Sequence, residues 1–171
     1  VAAITKVLAL VDQLKAQGIE ITAFNMGGGF AADYETGQSP LASDYASEIV
    51  PLMRPFHEAG GQFMIEPGRT ITANAGVLLV RVQYIKLAGA KKFVVVDSGM
   101  NHLARVALYD AHHFIWPTNV APDHVPKERV LLPSNDGLER CDVVGPICET
   151  GDYFAVDRPM PPVARGDLLC V

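Results

Sequence analysis

The sequence of 171 residues has no cluster of basic residues and no long apolar run. It carries 14 Lys and Arg against 19 Asp and Glu, which gives a formal net charge of -5. Proteins that bind nucleic acids present a basic face, often with aromatic side chains between the cations. A membrane-spanning helix needs roughly 20 consecutive apolar residues. These absences argue against a nucleic-acid or membrane partner, whereas the 49% hydrophobic content predicts a buried core.

Cysteine is also scarce, with three residues and no CxxC pair. An odd number without paired spacing argues against a disulfide framework and against a zinc site, so a reducing cytoplasm is the expected location. Two adjacent histidines in a strand would point to opposite faces, and the other histidines are isolated. We therefore predict no metal ligand among His57, His102, His112, His113 and His124, and we interpret Cys141 and Cys170 as structural.

The ends of the sequence predict a fragment of a larger protein. The chain begins at Val1 rather than Met and stops directly after an apolar Leu168-Leu169-Cys170 run. The first residues have no basic segment and no small-residue cleavage site, which is typical of an internal helix and not of a signal peptide.

The first half of the chain shows alternating helix and strand patterns, typical of parallel α/β units. Apolar spacing predicts a helix from Val1 to about Ala16, which Gly18 ends. A second helix is predicted from Leu41 to Ala59, with Ser43 as a plausible N-cap and Asp44 as an extension. Short strands are predicted at Ile19–Met26 and Gln62–Ile65.

The second half is rich in β-branched residues and has no long helical pattern, which predicts an antiparallel β domain. We place the boundary near residues 75–80 and divide the chain into domains 1–76 and 77–171. The fold class is thus α/β followed by all-β. Strands are predicted at Val77–Leu87, Phe93–Val96, Phe114–Trp116, Arg129–Leu132, Asp142–Val144, Tyr153–Val156 and Asp167–Val171.

Two motifs follow the predicted strands of the first half. Gly27-Gly28-Gly29 has no Cβ atoms, so its backbone amides can approach a phosphate closely, although a plain flexible turn explains the glycines equally well. In Glu66-Pro67-Gly68-Arg69, the carboxylate can pair with the protonated nitrogen of a pyridine cofactor, and the guanidinium can hold a carboxylate. Taken alone, this second motif is more often an N-capping turn with a surface salt bridge.

Two further motifs lie in the second half. Arg105 and Tyr109 are four residues apart, so on a helical turn they share a face and can clamp a carboxylate, or simply make a surface contact. Cys148 and Glu149 lie in a glycine-bordered loop, where a thiol can donate a proton. The alternative is a structural cysteine at the end of a strand.

Taken in order, these motifs resemble the diaminopimelate decarboxylase family, a member of the alanine-racemase-like (fold-type III) class of pyridoxal-phosphate enzymes. The resemblance extends over essentially the whole chain. It is carried by Gly27–Gly29, Glu66–Thr70, Asn74–Gly76, Asp97–Asn101, Arg105 with Leu108–Tyr109, Gly145–Asp152 and Gly166–Leu169.

The resemblance implies a TIM-like (β/α)8 barrel followed by an antiparallel β-barrel or β-sandwich domain, and a homodimer whose active site is shared between chains. It implies that Cys148 is the catalytic proton donor. Substrate would be bound by Arg69, Arg105, Tyr109 and Glu149. Pyridoxal phosphate would be bound by Gly27, Gly28, Gly29, Glu66, Pro67, Gly68 and Arg69, with Glu66 facing the pyridine nitrogen.

The activity so implied is decarboxylation of meso-2,6-diaminopimelate to L-lysine, the last step of lysine biosynthesis. The family's cofactor-binding lysine, its His-x-Gly-Ser stretch and a late tyrosine have no counterpart in the chain, which by itself is therefore expected to be inactive. Asn25 also stands where Asp is common. Two alternatives stay open: a decarboxylase for carboxynorspermidine or a basic amino acid, and a non-catalytic relative that binds the cofactor.

Overall fold

The computed structural model describes residues 1–34, 36–128, 130, 132–134 and 136–171. The chain divides into two compact units. Unit 1 comprises Val1–Asp33 and Gln38–Ala75, and unit 2 comprises Tyr34–Gly37 and Gly76–Val171. The short segment at Tyr34 thus packs with the second half of the chain, although it lies within the first half of the sequence.

Unit 1 contains three helices and a pair of parallel strands. The helices are α1 (Ala2–Ala16), α2 (Ala42–Glu58) and α3 (Gly68–Thr72), and the strands are β1 (Ala23–Asn25) and β2 (Gln62–Met64). Phe24 of β1 lies opposite Phe63 of β2 in the parallel register, and their rings stack with centroids 6.1 Å apart. The predicted helix–strand–helix–strand order is therefore confirmed.

Both strands of unit 1 are shorter than predicted. Residues 19–22 of the first predicted strand lie outside β1, because the two strands form a regular ladder only over three residue pairs. The predicted stop of α1 at Gly18 agrees with the structure, where this glycine has φ +83°, a left-handed conformation that side chains disfavour.

The predicted N-cap of α2 is wrong by two residues. Leu41 occupies the N-cap position, and Ser43 lies inside the first turn. The carboxylate of Asp44 accepts a hydrogen bond from the Leu41 N–H at 2.7 Å, so an acidic side chain from within the helix satisfies the backbone donor. A serine two residues into the helix cannot serve this donor as directly as the carboxylate does.

Unit 2 is built on a six-stranded sheet. The strands are β3 (Leu79–Ala88), β4 (Lys91–Val96), β5 (Trp116–Pro117), β6 (Glu139–Val144), β7 (Tyr153–Met160) and β8 (Leu168–Cys170). Their order in the sheet is β5-β8-β3-β4-β6-β7. The connections carry the short helix α4 (Arg105–Tyr109) and a 3-10 turn at Pro122–His124.

The sheet is mixed, so the prediction of a wholly antiparallel domain is wrong in one place. Strands β4 and β6 pair in parallel, with Val94 opposite Val143, whereas the neighbouring pairs are antiparallel. The connection between β4 and β6 runs from residue 97 to residue 138. It brings the chain back to the end of the sheet at which β4 begins, so that β6 runs in the same direction as β4. Only a long connection of this kind permits parallel pairing of two strands.

The strand predicted at Phe114–Trp116 is observed only as Trp116–Pro117, paired with Cys170 and Leu169 at the edge of the sheet. Proline is compatible with an edge because it has no N–H to donate to a further strand. The strand predicted at Arg129–Leu132 includes positions outside the described residues.

The core of unit 2 consists of the inward-facing side chains of the sheet. On β3, Val80 and Val82 are buried while Leu79 and Arg81 are exposed, which is the alternation of a strand with one covered face. The cluster also contains Val94, Val96, Ile115, Cys141, Val143, Phe154, Ala155, Met160 and Leu169. Among the residues that the structure describes, no helix is long and apolar enough to cross a membrane.

Candidate active site

The glycine loop of unit 1 follows β1 and lies against the end of β2. Gly27 and Gly29 have φ +75° and +86°, so both use the conformation that glycine alone adopts readily. A Cβ atom on Gly28 would lie 2.7 Å from the carbonyl oxygen of Glu66, which leaves no room for a side chain. The N–H of Glu66 donates to the carbonyl of Gly27 at 2.9 Å. The loop and the Glu66 segment are therefore held together through the backbone.

Asn25 orients the side chain of Glu66. Its amide nitrogen donates to Glu66 Oε1 at 2.7 Å, and its own Oδ1 accepts the N–H of Gly27 at 2.9 Å. One asparagine thus connects the exposed carboxylate with the start of the glycine loop. An aspartate at this position would have no donor for Glu66 and would bring two carboxylates together.

Pro67, Gly68 and Arg69 continue directly from Glu66 into α3. Pro67 is the N-cap of this five-residue helix, and the Arg69 side chain is exposed. The Thr70 hydroxyl donates to the carbonyl of Ala31 at 2.7 Å, which ties α3 to the segment that follows the glycine loop. Unit 1 thus brings together its whole predicted cofactor-binding set.

In unit 2, α4 presents Arg105 and Tyr109 one helical turn apart. The guanidinium carbon of Arg105 lies 5.6 Å from the ring centroid of Tyr109 and 5.6 Å from that of Tyr34. Among the described residues, the buried Nε of Arg105 has no hydrogen-bond partner. Two aromatic rings therefore contact the cation, and its Nε donor is buried without a partner among the described residues.

The loop between β6 and β7 carries Cys148 and Glu149. Both side chains are exposed, and Glu149 Oε1 accepts the N–H of Gly151 at 3.3 Å. A Cβ atom on Gly151 would lie 3.9 Å from the Cβ of Ala107 in α4, so the loop packs beside the helix that carries Arg105. Unit 2 therefore places the thiol, the carboxylate and the guanidinium on neighbouring segments.

The other two cysteines differ from Cys148. Cys141 is buried in β6, and its Sγ donates to the carbonyl of Arg158 at 3.7 Å. Burial is the main factor that raises the pKa of the Cys141 thiol to about 11. Cys170 is half-buried in β8. Cys148 is the exposed thiol of the three.

A buried arginine, Arg158, contacts the segment that follows α4 in the chain. Arg158 donates to the carbonyl of His113 at 2.8 Å and lies 3.1 Å from Nδ1 of His112. Burial, followed by the Arg158 charge, lowers the pKa of His112 to about 4. Burial and the charge of Arg105 also lower the pKa of His113. Both rings are consequently neutral near pH 7, and they lie outside the regular strand that the sequence suggested.

Sequence reasoning missed two residues that the structure brings to this region. Tyr34 belongs to unit 2, where its ring contacts Arg105 and lies 5.2 Å from the ring of His113. Asp152 is buried, with an exposure of 4%. No local pattern marks Tyr34, whereas Asp152 lies in the same glycine-bordered motif as Cys148.

The chain belongs to the pyridoxal-dependent decarboxylases. Residues 8–171 match the family described as "Pyridoxal-dependent decarboxylase, C-terminal sheet domain". The mixed sheet of unit 2 is consistent with that description.

Several of the proteins to which the chain is similar are diaminopimelate decarboxylases. The chain is 43% identical to the diaminopimelate decarboxylase of Pseudomonas aeruginosa over 169 residues, which cover 99% of this chain and 37% of that protein. It is 37% identical to the diaminopimelate decarboxylase of Aquifex aeolicus over 170 residues, again 37% of that protein. The chain thus spans little more than a third of the length of these relatives.

Solved structures show the same fold. The crystal structure of diaminopimelate decarboxylase from Helicobacter pylori complexed with L-lysine has a TM-score of 0.75 and 33% identity, over 99% of this chain and 38% of that one. The lysine/ornithine decarboxylase of Vibrio vulnificus, complexed with cadaverine, has a TM-score of 0.74 but 20% identity, and it shows the fold alone.

Proposed function

We propose that the enzyme containing this chain decarboxylates meso-2,6-diaminopimelate to L-lysine and CO2, the last step of lysine biosynthesis, with pyridoxal 5'-phosphate as cofactor. The observation that carries this proposal is Arg105, a cation flanked by two tyrosine rings and left with an unpaired buried Nε among the described residues. A planar guanidinium is the preferred partner for a carboxylate.

The distal end of the substrate explains why a cation and an anion occur together. Diaminopimelate has a second amino-acid centre with one carboxylate and one ammonium group, so its pocket needs both charges. Arg105 and Tyr109 would hold the carboxylate, Glu149 would hold the ammonium group, and Arg69 would contribute from α3. A pocket for lysine or ornithine would meet only the ammonium group and would have little use for Arg105.

The residues of unit 1 fit the cofactor. The glycine loop is open on one side, since a Cβ on Gly27 or Gly29 would meet no described atom within 4 Å. Such a loop suits a phosphate. The exposed carboxylate of Glu66, oriented by Asn25, suits a protonated pyridine nitrogen. Gly27, Gly28, Gly29, Glu66, Pro67, Gly68 and Arg69 would therefore hold the group.

Cys148 would supply the proton that replaces the lost carboxylate. When bound, pyridoxal phosphate provides an electron-withdrawing ring that makes loss of CO2 from an amino acid feasible. The bond between the α-carbon and the carboxylate breaks, and the thiol proton of Cys148 is delivered to that carbon. The resulting thiolate regains a proton from solvent. A general acid of this kind typically accelerates a reaction about 100- to 10,000-fold.

We also propose how the enzyme is built and how it assembles. Residues 1–76 would be the last βα units of a TIM-like barrel, and residues 77–171 would form the β domain that carries substrate-binding and dimer-interface residues. The parallel β1–β2 pair supports the first assignment, because barrels of this type consist of parallel strands. The enzyme would act in the cytoplasm as a homodimer in which Cys148 and Glu149 complete the partner's site.

The first experiment compares substrates on the purified full-length enzyme. Lysine and CO2 should form from meso-diaminopimelate, and kcat/KM should be far lower with lysine, ornithine or carboxynorspermidine. Preference for one of those three amines would establish the alternative decarboxylase. Cofactor binding without turnover of any of them would establish a non-catalytic relative.

The second experiment tests the shared site. Cys148→Ala and Glu66→Ala homodimers should each be nearly inactive, because each lacks one half of the chemistry. After random 1:1 reassembly, hybrids should restore about a quarter of the parent activity, since one site in each hybrid is intact. Hybrids verified by mass that show no gain over either homodimer would count against a site shared between two chains.

A further inference from the structure

The carboxylate of Asp152 connects two loops of unit 2. Its side chain is only 4% exposed, although it lies at the end of the exposed loop that carries Cys148. Oδ1 accepts the N–H of Met100 at 2.6 Å, and Oδ2 accepts the N–H of Ile147 at 2.7 Å. Each carboxylate oxygen therefore binds the backbone of a different loop.

Two glycines make room for this carboxylate. A Cβ on Gly99 would lie 2.6 Å from Asp152 Oδ1, and a Cβ on Gly145 would collide with Oδ2. Neither glycine has a positive φ, in contrast to Gly27 and Gly29 of unit 1. Backbone conformation therefore does not require glycine at positions 99 and 145. Glycine is required there because the Asp152 carboxylate occupies the space that a Cβ atom would take.

The two bound loops are those that lead to the candidate substrate-binding and catalytic residues. Met100 lies in the turn that precedes α4 and Arg105, and Ile147 directly precedes Cys148. The N–H of Gly145 also donates to the Asp152 carbonyl at 2.9 Å, which closes the base of the Cys148 loop. A single buried side chain thus fixes the loop of the thiol relative to the segment that leads to the guanidinium.

We propose that Asp152 is a positioning residue, whose carboxylate holds the Cys148–Glu149 loop against the turn before α4. This inference rests on the proposed function and adds a residue that supports it without contacting substrate. An ionised carboxylate can accept at both oxygens, whereas a carboxamide has one acceptor and one donor. Asp152→Asn therefore places an NH2 group against one backbone N–H without changing the size of the side chain.

Asp142 offers a matched control in the same sheet. It is 7% exposed, its Oδ1 accepts the N–H of Asp157 at 2.7 Å, and its Oδ2 accepts Lys91 Nζ at 3.0 Å. Asp142→Asn therefore disturbs a buried carboxylate of similar bonding that contacts neither loop. We expect a similar fall in thermal midpoint for both variants of the full-length holoenzyme, but a fall in kcat of about 100-fold for Asp152→Asn alone.

Hydrogen exchange gives a readout that does not depend on turnover. Peptides covering residues 97–103 and 145–151 should exchange about 10-fold faster in Asp152→Asn and at the parent rate in Asp142→Asn. If the parent enzyme does not decarboxylate diaminopimelate, the proposed function fails, and the exchange data still decide whether Asp152 fixes the two loops. Unchanged exchange in both peptides would overturn the inference even in an active enzyme.

Double substitutions test whether the glycines and the carboxylate act as one unit. Gly145→Ala should lower kcat about 10-fold or more when Asp152 is present and less than about 2-fold in an Asp152→Ala background, which removes the three atoms nearest to the added Cβ. Gly76→Ala is the control, since a Cβ there meets no described atom within 4 Å. Two outcomes would show that Asp152 only stabilises the fold. One is that the effects of Gly145→Ala and Asp152→Ala are additive. The other is that Asp152→Asn and Asp142→Asn lose equal amounts of kcat.

Discussion

Units 1 and 2 hold their candidate functional residues by different means. In unit 1 the buried apolar residues are Ile4 and Met53, and the glycine loop is fixed by backbone hydrogen bonds and by Asn25. In unit 2 a packed sheet core underlies the site, and buried polar side chains connect the loops. Unit 1 should therefore be sensitive to changes at glycine, and unit 2 to changes at buried side chains.

The largest expected effect is on the core of unit 2. Phe154→Ala should lower the free energy of unfolding of this unit by about 3–5 kcal/mol, because it empties a site that is 2% exposed. Phe63 of unit 1 is half-buried and provides the comparison, and Phe63→Ala should cost less in the 171-residue chain. Denaturant titrations followed by hydrogen exchange would measure both units. Equal losses in the two variants would contradict the contrast in packing.

The next effect concerns Arg105. Arg105→Lys in the full-length enzyme should lower kcat/KM for diaminopimelate and leave cofactor affinity unchanged. The expected loss of kcat/KM corresponds to about 1.5–3 kcal/mol of transition-state stabilisation. Lysine keeps the charge but loses the planar two-point contact with a carboxylate. Arg140→Lys is the control, since Arg140 forms an exposed ion pair with Asp157 at 2.7 Å. A parent value of kcat/KM for Arg105→Lys would exclude this residue as a substrate ligand.

A glycine substitution tests the backbone-built site of unit 1. Gly28→Ala should destabilise this unit by about 1–3 kcal/mol, because the added Cβ would lie 2.7 Å from the Glu66 carbonyl oxygen. Gly68→Ala should have no such cost, since a Cβ there would meet no described atom within 4 Å. Exchange rates at residues 24–30 and 62–66 would report the difference. Equal exchange rates in the two variants would show that the glycine loop accommodates the added Cβ by a small shift.

The smallest effect is a dependence on pH in unit 2. The pKa of His112 falls from an ordinary 6.5 to about 4 in the folded chain, mainly through burial. Between these values the unfolded chain binds more protons, so stability should decrease as pH falls from 6.5 to 4. Since the ring is partly exposed and screened by solvent, the expected loss is on the order of 1 kcal/mol. Thermal melts of His112→Gln should lack this part of the dependence of stability on pH. If the dependence is the same as in the parent, other titrating groups cause it.

Local sequence predicted the elements whose signals are local. Helical spacing located α1 and α2, β-branched runs located β3 and β4, and Gly18 marked the end of α1. These features depend on residues a few positions apart. The candidate residues were also predictable, because they lie in short motifs. Their roles stay predictions that the experiments above are designed to test.

The pairing of strands and the connections between loops were decided only by the tertiary structure. The parallel pairing of β4 with β6 and the inclusion of Tyr34 in unit 2 join positions far apart in the chain. Asp152 and Met100 are separated by 52 positions, and no periodicity relates them. Such contacts depend on which buried groups find partners after the sheet has assembled. The sequence therefore determined where the candidate residues are, and tertiary packing decided which of them are held together.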